Sequence, residues 1–466
     1  MRVLMMMPDA HMHVLRIGSF RKSFREMPLT LATLAALVPP DAGIHLRLAD
    51  GSVEDLPLDD PADLVGISVL TGCANEAYAL ADHYRGRGAT VVLGGVHVTN
   101  LPGEALAHAD AIVLGNAEAT WPALLEDFRR GRLGTVYREP SPQQPALPDV
   151  PTPRWDLHRT SRYMIPYALQ ATRGCRRTCD FCSVPTMWKP YMRRPVGDVI
   201  RDVRATRARH VAFNDVSLTD DPEYARELFS AMIPLRKKWG GLATVDLLKD
   251  PELLELMVRS GCCYLLFGFE SEDPGVLSSI HKGFNRGVDY AELMRVMHAH
   301  EISVQGCFVF GFDHDDRSVF ARTVERVQEL KIDIPRYSIY TAYPGTELYF
   351  RLLSEERMVS FNWDDYDTMH VVHRPARMTA DELYAGFKRA YRETFSLKSI
   401  LHRIPGRGVN TAVNFVGNLT YRLFVRRLES EARFAQPYSR HAPGAPPPAD
   451  YYAGAFEEGA SCAAAR

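Results

Sequence analysis

The stretch Thr172-Arg173-Gly174-Cys175-Arg176-Arg177-Thr178-Cys179-Asp180-Phe181-Cys182 carries three cysteines spaced C-x3-C-x2-C. One short loop thus supplies three thiolates. A cubane [4Fe–4S] cluster has four irons, so three cysteines leave one iron without a protein ligand. An open iron is what a cluster needs to bind and activate a substrate rather than only carry electrons. With 8 Cys in 466 residues, chance supplies about 0.002 such triplets, so the spacing is a signal. A structural zinc site asks for four ligands in paired knuckles. The remaining cysteines, Cys73, the adjacent Cys262 and Cys263, Cys307 and Cys462, do not make that pattern. A disulfide framework does not suit a long chain with no secretory signal.

Outward from this loop, the chain reads as an ordinary globular protein. It is 46% hydrophobic and 24% charged, with 55 Lys+Arg against 57 Asp+Glu and a net charge of −2. No global basic excess points to nucleic acid or to a polybasic membrane contact. The start, Met1-Arg2-Val3-Leu4-Met5-Met6-Met7-Pro8, is too quickly interrupted for a signal peptide, and no apolar run reaches the length of a membrane span. The expectation is a cytoplasmic protein of several α/β domains.

Residues 1–136 alternate short apolar runs with helical stretches. The runs are Val3–Met7, Ile44–Ala49, Leu64–Val69, Thr90–Leu93 and Ala111–Leu114; Asn75–Arg87 and Trp121–Arg129 have helical periodicity. This pattern predicts a doubly wound parallel sheet, whose ligands sit beyond the carboxyl ends of the strands. Those ends are rich in glycine and small polar residues. Residues 137–161 form a Pro-rich linker with six prolines in Glu139–Pro153. In residues 162–346, Tyr163–Ala171, His210–Phe213, Gly241–Val245, Cys263–Gly268, Ser303–Phe310 and Arg336–Thr341 read as six strands with intervening helices. They predict a partial (β/α)6 TIM-like barrel with its site at the C-terminal strand ends, where the cysteine loop emerges. Residues 347–435 predict a helical region, with Ala380–Phe395 its clearest helix. Residues 436–466, rich in Pro, Ala and Gly, predict a disordered tail.

The cysteine segment resembles the signature of the radical S-adenosylmethionine (SAM) superfamily, where an aromatic residue precedes the last cysteine as Phe181 does here. The resemblance implies that Cys175, Cys179 and Cys182 hold the [4Fe–4S] cluster. It implies that SAM chelates the open iron, and that one-electron reduction cleaves SAM to methionine and a 5′-deoxyadenosyl radical. It further implies SAM contacts from Phe181, from Asn214 and Asp215 to the ammonium group, from Glu270 and Ser271 to the ribose, and from the segment ending at Gly311 to the adenine. Asn214 and Asp215 have an alternative role in helix capping before Asp221-Pro222. Lys282 reads as a solvated lysine, Cys307 as a buried strand cysteine, and Arg173, Arg176 and Arg177 as positive neighbours of the loop.

The segments Gly94-Gly95-Val96-His97-Val98-Thr99 and Asp110–Glu118, followed by Trp121 and Leu124, resemble the cobalamin-binding domains fused ahead of radical SAM domains. This implies a cobalamin site with Ser68, Thr71, Gly94, Gly95, His97, Gly115 and Glu118. The Asp-x-His-x-x-Gly motif that gives cobalt a histidine is only partly present: Asp9 and His11 match, but Val14 stands where glycine is expected. His11 is therefore expected to be a solvated loop residue.

Together these readings imply a cobalamin-dependent radical SAM enzyme that methylates an unactivated carbon of a small molecule, supplied with electrons by an external reductant such as flavodoxin or ferredoxin. Two alternatives stay open: cyclisation or rearrangement without methyl transfer, and a cobalamin- or cluster-binding sensor without turnover. Methylthio transfer to RNA fits poorly, because the N-terminal region has only Cys73 and no basic tail follows. Neither nucleic acid nor integral membrane association is expected.

Overall fold

A computed structural model describes residues 1–9, 14–17, 20–139, 147, 150–188, 190–404, 410–439 and 444–452. His11 lies outside them, as does most of the proline-rich run. The N-terminal part contains β1 (Arg2–Met7), a hairpin of β2 (Val14–Ile17) and β3 (Phe20–Glu26), β4 (His45–Asp50), β5 (Leu64–Ser68), β6 (Thr90–Gly94), β7 (Ala111–Leu114) and β8 (Val136–Arg138). Apart from the hairpin these form one parallel sheet in the order β4-β1-β5-β6-β7-β8.

The reason lies in β1. Successive strand residues point to opposite faces, and here both faces are apolar. Val3 and Met5 pack with Leu31, Ala35, Trp121 and Leu124, whereas Leu4 and Met6 pack with Ala77, Ala81 and Ala105 on the other side. A strand apolar on both faces needs helices on both, which is the parallel, doubly wound arrangement. The chain leaves β1 for β4 on one side and returns to β5 on the other. That reversal opens a crevice at the carboxyl ends of β1 and β5.

The central part holds β9 (Tyr163–Ile165), β10 (Ala168–Leu169), β11 (Thr172–Arg173), β12 (Met192–Arg193), β13 (His210–Phe213), β14 (Lys238–Ala243), β15 (Cys262–Glu270), β16 (Ser303–Phe310) and β17 (Ile334–Ile339). Six of them make an open parallel barrel in the order β10-β13-β14-β15-β16-β17. On β15, Leu265, Phe267 and Phe269 are buried against the outer helices, while the alternate Tyr264, Leu266 and Gly268 stay partly accessible inside. These alternate positions face the barrel interior.

Three expectations need correction. The strand expected over Tyr163–Ala171 is broken at Pro166, which cannot donate to a ladder; β9 pairs instead with β3, and β10 starts the barrel. The β2–β3 hairpin was not foreseen, because Arg21-Lys22-Ser23-Phe24-Arg25 lacks a buried-strand pattern. The tail after residue 436 is not wholly disordered: Tyr452 is buried, with its hydroxyl 2.8 Å from that of Tyr349, and Tyr451 lies over Gly103.

The C-terminal region folds as the helices Ala380–Thr394, Leu397–Arg403 and Thr411–Ser430. The first starts with a capping box between Thr379 and Glu382. Its neighbour Asp367–His370 is a buried ion pair, with Nδ1 3.0 Å from the carboxylate and Nε2 2.9 Å from the Arg433 carbonyl oxygen. Burial alone would lower the pKa of His370, but the Asp367 charge outweighs it and the value is raised. Burial would raise Asp367, yet His370 and two backbone N–H donors hold it low. The His370 contribution is complete below its ordinary value of 6.5 and is lost as pH rises through the raised folded value. The Asp367 contribution is lost only on the acid side, as pH falls through its lowered value. Thermal melts should thus show stability falling as pH rises past neutrality. Asp367→Asn should cost about 3–5 kcal/mol near neutral pH and flatten that slope; an unchanged slope would contradict the assignment.

Candidate active site

The cysteine loop springs from β11, which is clamped antiparallel to β12 at the loop's far end. Gly174 opens it with φ +87°, where a Cβ would sit 3.3 Å from the Trp188 carbonyl oxygen, so a side chain there would be strained. Cys175, Cys179 and Cys182 are free thiols and remain partly accessible. Among the described residues, no three His, Cys, Asp or Glu side chains gather closely enough to hold a single ion. A cubane spreads its thiolates around a larger body, and three free cysteines on one anchored, accessible loop fit that group. Burial pushes the Cys175 and Cys179 thiols up to about 11 and also raises Cys182.

The loop is fastened at Asp180. Its carboxylate accepts from the Tyr340 hydroxyl at 2.7 Å, and its carbonyl oxygen accepts from the Leu348 N–H at 3.0 Å. Phe181 lies edge-on to Tyr340, 5.9 Å between ring centres, beside the cluster thiols.

The other expected SAM residues fall at the barrel's upper rim with different surroundings. Glu270 ends β15 with φ +62° and holds Lys282 at 2.7 Å. Lys282 is not a solvated lysine: its side chain is only 12% exposed, and its charge favours the Cys179 thiolate. Gly268 leaves room for this pair, since a Cβ there would lie 2.4 Å from the Glu270 carboxylate. Ser271 turns the chain, its hydroxyl accepting from the Asp273 N–H. Gly311, with φ +100°, donates to Asp315, and a Cβ there would strike Leu383 at 2.7 Å. Its amide and its missing side chain are thus both committed to packing. Asn214 faces the space between the two sheets.

Asp215 does not face an ammonium group. It is fully buried, and its carboxylate accepts from the Ala171 N–H at 3.0 Å, the Thr172 N–H, and the Thr172 hydroxyl at 2.7 Å. Burial nonetheless raises its pKa to about 6. It anchors the strand that launches the cysteine loop.

The crevice of the N-terminal sheet opens into a cavity of about 510 Å³ that reaches the barrel. Its floor is Gly66, Ser68, Gly94, Gly95 and Gly115, and a Cβ on Gly66 would meet the Trp121 ring at 3.4 Å. Gly115, at φ +74°, has nothing within 4 Å of a would-be Cβ. This glycine-rich floor fits a broad planar ring such as a corrin. Glu118 also lines it. One of its oxygens accepts from Arg173 at 2.6 Å while the other is buried without a partner. Burial would raise Glu118, but the Arg173 charge holds it low. Arg173 also donates to Asn116 and Gln170, each at 2.9 Å. The base of the cysteine loop is therefore riveted to the cavity wall.

His97 and Thr71 do not reach this cavity. His97 is fully buried, 3.4 Å from the Thr71 hydroxyl and packed edge-on to Trp363; burial lowers its pKa to about 3. Both belong to the layer beneath the loop. The residues missed from sequence are Arg173 as a bridge, Lys282 as a buried partner, and Asp220, whose carboxylate is 3.5 Å from the Cys175 sulfur. Arg173 and Lys282 each had a signal in the sequence, the first in its place beside the cysteine loop and the second in its place shortly after the Glu270 strand end.

Comparison with known proteins agrees with this two-part site. A model of the radical SAM superfamily matches residues 169–345, and a B12 binding domain model matches residues 27–125. Bacteriochlorophyllide d C-12(1)-methyltransferase of Chlorobaculum tepidum is 32% identical, the match covering 87% of this chain and 90% of that protein. Bacteriochlorophyllide d C-8(2)-methyltransferase of the same organism is 28% identical over 85% and 92% of the two chains. The radical SAM methyltransferase TsrM from Kitasatospora setae, solved with cobalamin and a [4Fe-4S] cluster bound, superposes with a TM-score of 0.65 at 15% identity, covering 91% of this chain and 99% of that one.

Proposed function

The chain belongs to the radical SAM methyltransferases that carry a B12-binding domain, and from that premise we propose that it methylates an unactivated carbon of a tetrapyrrole. Members of this family are enzymes whose cofactors are a [4Fe–4S] cluster, SAM and cobalamin. In this reading Cys175, Cys179 and Cys182 hold the cluster. Glu270 and Asn214 turn toward SAM, and Ser68, Gly94, Gly95, Gly115 and Glu118 cradle the corrin. When bound, the cluster and SAM supply a hydrogen-abstracting radical, and cobalamin relays the methyl group. The residues of the chain do the positioning. Asp180 and Asp215 fix the loop's two ends, and Lys282 holds Glu270 in place. The Arg173–Glu118 bridge keeps the loop and the corrin floor in one register.

That bridge is the observation that carries the proposal. A protein that handled cluster and cobalamin separately would have no need to join the cluster loop to the corrin wall through one buried ion pair. The tetrapyrrole substrate is supported by the two bacteriochlorophyllide methyltransferases named above, and a small-molecule substrate suits the partly accessible barrel interior. No helix among the described residues is long and apolar enough to cross a membrane. An external one-electron donor such as flavodoxin or ferredoxin completes the proposed system.

The first test is spectroscopic. After oxygen-free reconstitution with iron, sulfide and hydroxocobalamin, the desalted protein should keep corrin bands beside the broad absorbance of the cluster. A cluster without corrin would contradict methyl transfer.

A further inference from the structure

The buried arginines Arg173, Arg194 and Arg403 each have a carboxylate, carbonyl or amide partner. Arg194 pairs with Asp202 at 2.7 Å, Arg173 with Glu118, and Arg403 donates to the carbonyl oxygens of Ile332, Asp333 and Thr394 and to Asn418. Arg336 differs. It is the third residue of β17, on the alternation that points inward, and stays partly accessible between buried Pro335 and Tyr337. The groups that act most strongly on its charge are Tyr421, Cys307, Tyr391 and Tyr264. Its guanidinium makes no hydrogen bond or ion pair with another described residue.

Its surroundings are polar. Cys307 is its register partner on β16 and in turn aligns with Gly268 on β15, one step below Glu270. Arg336, Glu270 and Lys282 all act on Cys307, so the guanidinium shares this strand-end neighbourhood with the Glu270–Lys282 pair. Gln305 ties the pocket wall together. It accepts from the Tyr264 hydroxyl and donates to that of Tyr421, which reaches in from the helix Thr411–Ser430. A cation left unpaired inside a protein costs several kcal/mol. It is retained where a ligand supplies the counter-charge, and the planar fork of arginine matches a carboxylate best.

We infer that Arg336 is a substrate-binding residue that receives a carboxylate in the barrel interior, and that the substrate of this protein is therefore an acid. This rests on the reading that Glu270 marks the SAM end of the barrel, and it adds to the proposed reaction an anchor at the far end of the substrate. Held there, an acidic substrate has its orientation toward the rim fixed by one charge-assisted contact.

The test uses the reconstituted holoenzyme with SAM and two pairs of probes, followed by quenching of protein fluorescence. Naphthoate and its amide ask only whether the interior accepts an anion; pyropheophorbide a and its methyl ester ask whether it accepts a tetrapyrrole acid. The wild-type protein should bind each acid about 10- to 100-fold more tightly than its neutral partner. Arg336→Gln should erase that preference while leaving the neutral probes unaffected, and Arg336→Lys should restore part of it. Cluster and corrin content of each variant reports whether it is folded. Equal binding of acid and amide by the wild-type protein, or no saturable naphthoate binding, overturns the inference without any variant. So does an Arg336→Gln protein that keeps the preference but loses affinity for SAM, because the arginine would then serve the SAM carboxylate. Naphthoate preference with no binding of either tetrapyrrole would uphold Arg336 and sink the tetrapyrrole reading instead.

Discussion

Cys179→Ala protein, reconstituted without oxygen, should form 5′-deoxyadenosine from SAM more than about 1,000-fold more slowly than wild type, beyond the roughly 10- to 100-fold typical of losing an outer-shell partner. The thiol is one of three on a loop with no other described cysteine positioned to replace it: Cys262, Cys263 and Cys307 sit on barrel strands, and Cys73 is buried in the N-terminal part. Cys175→Ala and Cys182→Ala should behave alike. Asp215→Ala offers the contrast. It removes the acceptor for the Ala171 and Thr172 amides, so the loop loosens but keeps its thiols. A decrease of about 10- to 100-fold is expected there. Chromatography of deoxyadenosine after single reductions by dithionite reads both. Comparable rates in Cys179→Ala and wild type would remove the cluster from the account.

The second large effect is expected at the corrin floor. Gly94 lines the cavity, and a Cβ there would meet only Val113, at an ordinary 3.6 Å. Phenylalanine can therefore be accommodated by the backbone while its ring fills the space the corrin needs. Gly94→Phe protein should keep its cluster and its deoxyadenosine production, yet retain no cobalamin after desalting and give no methylated product. Gly95 would be a poor choice for this test. Its φ is +106° and a Cβ would lie 2.7 Å from the Val69 carbonyl oxygen, so substitution strains the loop itself. Normal corrin retention by Gly94→Phe would move the cobalamin site elsewhere.

What the sequence disclosed follows from what kind of signal each feature leaves. The cysteine spacing and the apolar runs of β1, β5, β6 and β7 are local patterns, and both were legible. Partners were not. Asp215 looks like a polar strand-end residue until Ala171 and Thr172, more than forty positions earlier, are seen donating to it. His97 sits in a glycine-rich motif that suggests a ligand loop, but the short helix Val96–Asn100 turns it inward onto Tyr78 and Trp363. Lys282 reads as solvated because lysine usually is; its burial depends on a glutamate twelve residues earlier, across a β15 end in left-handed conformation. Arg336 is invisible for the same reason in reverse. Nothing local reveals that a charged strand residue has no ion-pair partner among the described residues. The proline-broken β9 and the charged β3 hairpin were lost because edge and covering strands carry weak patterns of their own.

The most direct measurement is a mass-spectrometric assay of the reconstituted protein with SAM carrying a deuterated methyl group, a chlorophyllide-type acid and a flavodoxin reducing system. The account predicts a product that has gained the labelled methyl on carbon, accompanied by 5′-deoxyadenosine and S-adenosylhomocysteine in equal amounts. Deoxyadenosine with an altered but unlabelled product would contradict methyl transfer and assign the chain to rearrangement or cyclisation.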